Sequence, residues 1–161
     1  NLTASNSVME NLRGDIHALP YFGQWKAIIL NAGENLLWSY EDMIGCFHLF
    51  RLPDSWARYF TFNLSFKASE LGLEGEHNVY LGPRVLPMGW CNSMGIVQYL
   101  HRRLLTKGVG NPQAPPSGGL PPDREIRKDK VFPPSSSASP NLAAFWQAYC
   151  DDFDLPELVR E

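Results

Sequence analysis

The sequence predicts an α+β fold, with an antiparallel sheet backed by helices. Three stretches predict it. Residues 59–66 set Phe60, Phe62, Leu64 and Phe66 against Thr61, Asn63 and Ser65, the period of two of a strand with one buried face. Residues 93–106 repeat at helical spacing, with Ile96, Val97, Leu100 and Leu104 as an apolar stripe. Phe145, Trp146 and Ala148 lead into Tyr149-Cys150-Asp151-Asp152, which reads as a strand carried to a sharp turn.

The remaining elements follow in chain order. Residues 1–35 are punctuated by Asn, Ser and Gly, and the apolar patch Trp25–Leu30 fits helix and strand equally. Residues 36–42 form a strand with an acidic end. Met43–Leu52 turns into a short helix that Pro53-Asp54 stops. Residues 79–86 follow a Gly/Glu-rich turn and pair with 59–66. Their internal Gly82 and Pro83 mark an edge or a bulge. Asn92 or Ser93 caps the 93–106 helix. His101, Arg102, Arg103 and Lys107 lie on its other side and at its end, where cations suit the helix dipole.

Residues 108–140 hold eight of the thirteen prolines, with Gly and Ser clusters. Such a stretch buries little apolar surface and is expected to be a flexible insert. After Asp152, Pro156 argues against a return strand, and Asp154 with Pro156 would start a helix. The expected organisation is therefore a first part over 1–107, the insert over 108–140, and a hairpin over 141–161.

The chain has 161 residues, is 44% hydrophobic and carries a net charge of −3. That allows one domain with a real core. It excludes a protein that grips nucleic acid by bulk positive charge. No apolar run would span a bilayer and no signal peptide opens the chain, so no membrane partner is expected. Cys46, Cys91 and Cys150 are far apart, without zinc-ligand spacing. They point to a reducing compartment, the cytoplasm or nucleus. The chain starts without methionine and reads as a fragment or processed piece.

Asp151 and Asp152 are adjacent at a strand tip. Two carboxylates ~4 Å apart at an effective dielectric of about 20 repel by roughly 4 kcal/mol. A hard divalent cation such as Mg²⁺ is the usual compensation for an all-oxygen site. Asp42 ends another strand. If the two strands are neighbours, three carboxylates meet and would hold two ions, the arrangement that serves in-line displacement at phosphorus.

Three motifs in order resemble the palm of the reverse transcriptases, the RNA-directed DNA polymerases of retroelements. Asp42, with Phe47 five residues on, resembles that family's first aspartate motif. Leu86-Pro87-Met88-Gly89, with Asn92, Ser93 and Gln98 downstream, resembles its Leu-Pro-Gln-Gly motif. Tyr149-Cys150-Asp151-Asp152 resembles its Tyr-x-Asp-Asp box. The resemblance covers about residues 30–155, and no viral flanking domain is visible, so it points to a retrotransposon-type element.

The resemblance implies a polymerase palm-like sheet with incomplete fingers and no thumb. It implies RNA-templated DNA synthesis, with an RNA template, a DNA or RNA primer and deoxynucleoside triphosphates as partners. Asp42, Asp151 and Asp152 would be catalytic and would ligate two Mg²⁺, replaceable by Mn²⁺. The Met43 carbonyl would add an oxygen. Phe47 would lie under the incoming sugar and exclude a 2′-hydroxyl. Pro87, Met88, Gly89 and Gln98 would line the nucleotide side, and Tyr149 and Cys150 the primer end.

The chain departs from the family pattern in four places. Met88 replaces the usual glutamine, the insert is long, Pro156 falls in the expected return strand, and basic fingers residues have no match. The truncation, Met88 and the insert motivate an alternative: a fragment inactive alone, or a non-catalytic or decayed remnant that binds nucleic acid or a protein. A metal-dependent nuclease would also use clustered carboxylates, but it leaves Leu86-Pro87-Met88-Gly89 and Phe47 unexplained.

Overall fold

The computed structural model describes residues 2–12, 14–107, 118–130 and 144–160. They form a mixed α+β structure with two antiparallel sheets. In chain order the elements are α1 (Thr3–Val8), β1 (Glu34–Asp42), α2 (Cys46–Leu49), α3 (Asp54–Ala57), β2 (Ser65–Lys67), β3 (Asn78–Tyr80), α4 (Ser93–Lys107), β4 (Gln147–Tyr149) and β5 (Asp152–Arg160). Short 3₁₀ turns fill several connections. One of them, Phe22–Ala27, takes up the first half of the apolar patch Trp25–Leu30 that sequence left unassigned.

The main sheet has the order β1-β5-β4. β1 is rich in strand formers (Leu36, Leu37, Trp38, Tyr40) and pairs with β5 from Glu34↔Arg160 to Asp42↔Asp152. An Arg160–Glu34 ion pair at 3.0 Å closes the far end of the ladder. β5 is thus the central strand, despite Pro156. The Pro156 carbonyl accepts the Phe145 N–H at 2.8 Å. Its ring nitrogen therefore faces the β4 side, beyond the last β4 pair, Gln147↔Asp154. The missing N–H costs the β1 ladder nothing, so the expected helix start at Asp154–Pro156 is replaced by a strand.

The long strand expected over 59–66 does not form. Asp54–Ala57 is helical, and the Phe60 N–H closes a turn onto Ala57. Ser65–Lys67 pairs with Asn78–Tyr80 through Phe66↔Val79, and the Phe62 N–H donates to the Leu81 carbonyl at 2.7 Å outside that ladder. Phe60 is buried, whereas Phe62 and Leu64 are exposed. Phe60 packs edge-on against Trp90, which also meets Trp56. The alternation is real in sequence, but no second strand lies beside most of it.

The helix expected over 93–106 is α4, rotated from its expected setting. Its buried residues are Ser93, Gly95, Val97, Gln98 and His101, while Leu104 is exposed. Polar side chains with partners occupy much of the inward face. Asn92 precedes the helix, and its backbone carbonyl accepts the Ile96 N–H at 3.1 Å. Its amide accepts the Leu12 N–H at 2.7 Å and donates to the Glu10 carbonyl at 2.9 Å, tying down the N-terminal segment.

Residues 108–117 and 131–140, most of the expected insert, lie outside the described residues. Its middle, 118–130, is docked and so corrects the expectation of a stretch with little to bury. Glu125 bridges Trp146 in parallel, and the Ile126 N–H donates to the Trp146 carbonyl at 2.8 Å. Ile126 and Glu125 are both fully buried. Arg102 is no solvated helix end. It forms ion pairs with Asp15 and Glu125, and Arg127 approaches Glu125 to 3.7 Å.

The core cluster comprises Leu19, Cys46, Leu52, Phe60, Leu86, Trp90, Val97 and Cys150. The N-terminal segment reaches it because Gly14 passes α4 at Gly95. Gly14 has φ +45°, and a Cβ there would sit 2.9 Å from the Gly95 backbone. Gly14→Ala combines a left-handed strain with a clash against main chain, and is expected to cost about 2 kcal/mol. Urea unfolding checks this; a midpoint unchanged from wild type would refute the close approach.

Candidate active site

β1 and β5 bring the early and late acids to one place. Asp42 and Asp152 are direct cross-strand partners. Such partners project from the same face of a sheet. One residue beyond, the Met43 N–H donates to the Asp151 carbonyl at 3.0 Å. Asp42 is exposed, and Asp151 and Asp152 are half-buried, so the acids lie at a solvent-reached tip of the sheet.

The four acids of this tip have unequal hydrogen bonding. Among the described residues, Asp42, Asp151 and Asp152 have no ion pair. One Asp152 oxygen accepts the Tyr40 hydroxyl at 2.7 Å. Asp154 is saturated: Trp38 Nε1 donates to one oxygen and Gln147 Nε2 to the other, each at 2.7 Å. Asp154 is therefore a structural acid. Trp38 itself stacks on Trp25, with ring centroids 4.1 Å apart.

The field of the acids acts on their neighbours. The hydrogen bond to Asp152 is the main influence that raises the Tyr40 phenol to about 12, followed by desolvation and the charges of Asp152, Asp42 and Asp154. Burial first, then the charges of Asp151 and Asp42, raises the Cys46 thiol to about 11. Burial, then Asp151 among other charges, raises Cys150 to about 12. No cation enters any of these three shifts. The tip is a concentration of negative charge with no ion pair to a basic side chain among the described residues.

Both buried thiols should therefore resist alkylation. At pH 8 their thiolate fraction is at most about one part in a thousand, and neither is exposed. Iodoacetamide at pH 8 is expected to label Cys91, the half-buried one, first. Labelling of Cys150 at the same rate, read by peptide mass spectrometry, would contradict the burial described.

The donor types are those a hard divalent cation takes: carboxylates, two of them (Asp42 and Asp151) without an ion pair among the described residues, and the Met43 carbonyl one residue beyond Asp42. That carbonyl accepts the Cys46 N–H at 3.1 Å and keeps a second lone pair. Among the described residues, no three His, Cys, Asp or Glu side chains are already drawn together as a metal cage.

The other expected site residues divide. Phe47, on α2, is half-buried against the core cluster. Pro87, Met88 and Gly89 form a turn closed by the Trp90 N–H on the Pro87 carbonyl. The Ser93 hydroxyl donates to that same carbonyl at 2.7 Å, and Asn6 donates to the Gly89 carbonyl at 2.8 Å. Met88 is exposed, and Gly89 takes φ +87° with open space where a Cβ would stand. Leu86 and Trp90, on either side of this turn, share the core with Cys46 and Cys150.

Tyr149 is exposed at the tip, but the Cys150 side chain points into the core and presents nothing to a primer. Gln98 departs furthest from its expected role. It is fully buried, donates to the Ala148 carbonyl at 2.8 Å and accepts the Cys150 N–H at 2.7 Å. No amide atom remains for a nucleotide. His101, one turn along the same helix face, contacts the Cys150 carbonyl through Nδ1 at 2.7 Å. Sequence reading missed His101, Tyr40 and Asp154. The i, i+3 spacing of Gln98 and His101 was the one visible signal.

Family models, curated proteins and solved structures gave no match to the chain. Among the described residues, no helix is long and apolar enough to cross a membrane.

Proposed function

We propose that this chain is the catalytic palm of a reverse transcriptase of retrotransposon type, and that it serves RNA-templated DNA synthesis. The observation that carries the reading is the register Asp42↔Asp152, with Met43 hydrogen-bonded to Asp151. Acids 109 or more residues apart in sequence share one sheet tip, in the order that the three motifs require.

In this reading Asp42 and Asp151, unpaired, are the principal ligands of two Mg²⁺ ions, with the remaining oxygen of Asp152 and the Met43 carbonyl beside them. Such a pair of ions supplies activation of an attacking hydroxyl and stabilisation of a leaving oxygen. The primer 3′-hydroxyl forms the new bond to the α-phosphorus of a deoxynucleoside triphosphate, and pyrophosphate leaves. Tyr40 holds Asp152 in a fixed direction. Asp154, tied to Trp38 and Gln147, keeps the floor rigid without ligating. Phe47 stands on α2, directly after the first aspartate strand, and would exclude a 2′-hydroxyl from the sugar site. The turn at Pro87, Met88 and Gly89 offers an open backbone to the nucleotide, and exposed Met88 an apolar contact in place of an amide.

The test is primer extension on a poly(rA)–oligo(dT) duplex with dTTP and Mg²⁺ or Mn²⁺, by this chain and by any longer polypeptide that carries it. Extension that prefers dTTP to UTP supports the reading. Folded protein without extension in either form favours the non-catalytic remnant that binds nucleic acid or a protein.

A further inference from the structure

We propose that Gln98 and His101 are positioning residues that clamp Cys150 in a left-handed conformation and so set the direction of Asp151 at the tip that also carries Asp42. The inference rests on the proposed metal site but concerns residues that touch no ligand.

Cys150 has φ +55°, the one positive φ outside glycine among the described residues. An L-residue with a Cβ pays about 1–2 kcal/mol for that region, so the surroundings must impose it. They do so through both of its backbone polar groups. Its N–H donates to Gln98 Oε1 at 2.7 Å, and its carbonyl meets His101 Nδ1 at 2.7 Å. Gln98 Nε2 also holds the Ala148 carbonyl at 2.8 Å, two residues back on β4. Both clamp residues project from the buried face of α4, a helix of 15 residues. A rigid element thus grips the hairpin on one side of Asp151.

On the other side, Asp152 is fixed by its pairing with Asp42, and the Asp151 carbonyl by the Met43 N–H. Asp151 is the single residue between the clamp and the ladder. Its direction depends on the dihedrals of Cys150. A relaxed Cys150 would change the direction of the Asp151 side chain while leaving the sheet intact.

The experiment titrates Mn²⁺ into the full chain and reads bound metal by electron paramagnetic resonance. Asp151→Asn identifies the site. Gln98→Leu, at matched folded fraction, is expected to weaken Mn²⁺ binding by about tenfold or more, the usual effect of losing an outer partner of a ligand. Adding Cys150→Gly to Gln98→Leu is expected to restore much of that loss, because glycine takes positive φ without a clamp. A purely packing role predicts the opposite, since the second change removes more of the core. Unchanged Mn²⁺ affinity in folded Gln98→Leu, or no recovery in the double variant, overturns the clamp.

Amide hydrogen exchange of wild-type chain is the second measurement and needs no variant to fold. Cys150 is expected to exchange as slowly as the buried amides of α4, and a fast Cys150 amide overturns the clamp. If wild type shows no Mn²⁺ binding sensitive to Asp151→Asn, the polymerase reading fails. The clamp is then judged by Cys150 protection alone, present in wild type and lost in Gln98→Leu if the proposal holds.

Discussion

Asp151→Asn is expected to reduce primer extension by at least about a thousandfold, a loss of roughly 4 kcal/mol in transition-state stabilisation, while the fold survives. Asn keeps the shape of Asp and removes the charge. Asp151 has no ion pair among the described residues, and its backbone, not its side chain, holds Met43. Stability should therefore hold or rise slightly, because one member of a repelling set is neutralised. Asp42→Asn should behave likewise. Asp154→Asn should not: its carboxylate accepts from Trp38 and Gln147, so its loss should show in stability before activity. Extension assays on the three variants, with urea unfolding alongside, give the comparison. Extension retained by Asp151→Asn would remove the polymerase reading.

Arg102→Met is expected to destabilise the chain by about 3–5 kcal/mol, the usual result of stripping a buried charge of its partner. The Glu125 side chain is only 1% exposed and the Arg102 side chain 14%. Arg102 Nη2 donates to Glu125 at 2.7 Å, and a second guanidinium nitrogen reaches Asp15. The hydrogen bond to Glu125 is the main influence that pushes the Arg102 pKa above its ordinary value. The arginine thus joins three segments: the N-terminal segment, α4 and the docked part of the insert. Arg102→Met combined with Glu125→Leu should recover part of the loss, since it removes the most deeply buried charge and Arg127 keeps Asp129, while Asp15 still lacks its partner. Equilibrium urea unfolding of the single and double variants decides it. A loss below about 1 kcal/mol in Arg102→Met would reduce the pair to an ordinary surface bridge.

Arg102 also shows where linear reading stops. Its run with His101 and Arg103 resembles any cationic helix end. Nothing within a few residues reveals that Glu125 comes back to meet it, or that Cys150 presents a carbonyl to His101. Periodicity arguments assume that the inward face is the apolar one. In α4 that face carries Gln98 and His101 because their hydrogen bonds are met by the hairpin backbone, which offsets the cost of burying polar groups. Pro156 misleads for a related reason. Whether a strand tolerates proline depends on which side its nitrogen faces and on where the neighbouring strand ends.

What the sequence determined alone was local and chemical: the β1 strand and its acidic end, the extent of α4, the turn at Asp151-Asp152, and the three motifs with their order. These depend on residue type and near-neighbour spacing, which a linear chain carries in full. The tertiary structure alone decided the Asp42↔Asp152 register, the burial of Gln98 with its amide on the Ala148 carbonyl and the Cys150 N–H, the two hydrogen bonds on Asp154 and the docking of residues 118–130. Each of these joins groups distant in the chain or on separate elements, and its energy exists only once burial has removed water and brought a partner to that position.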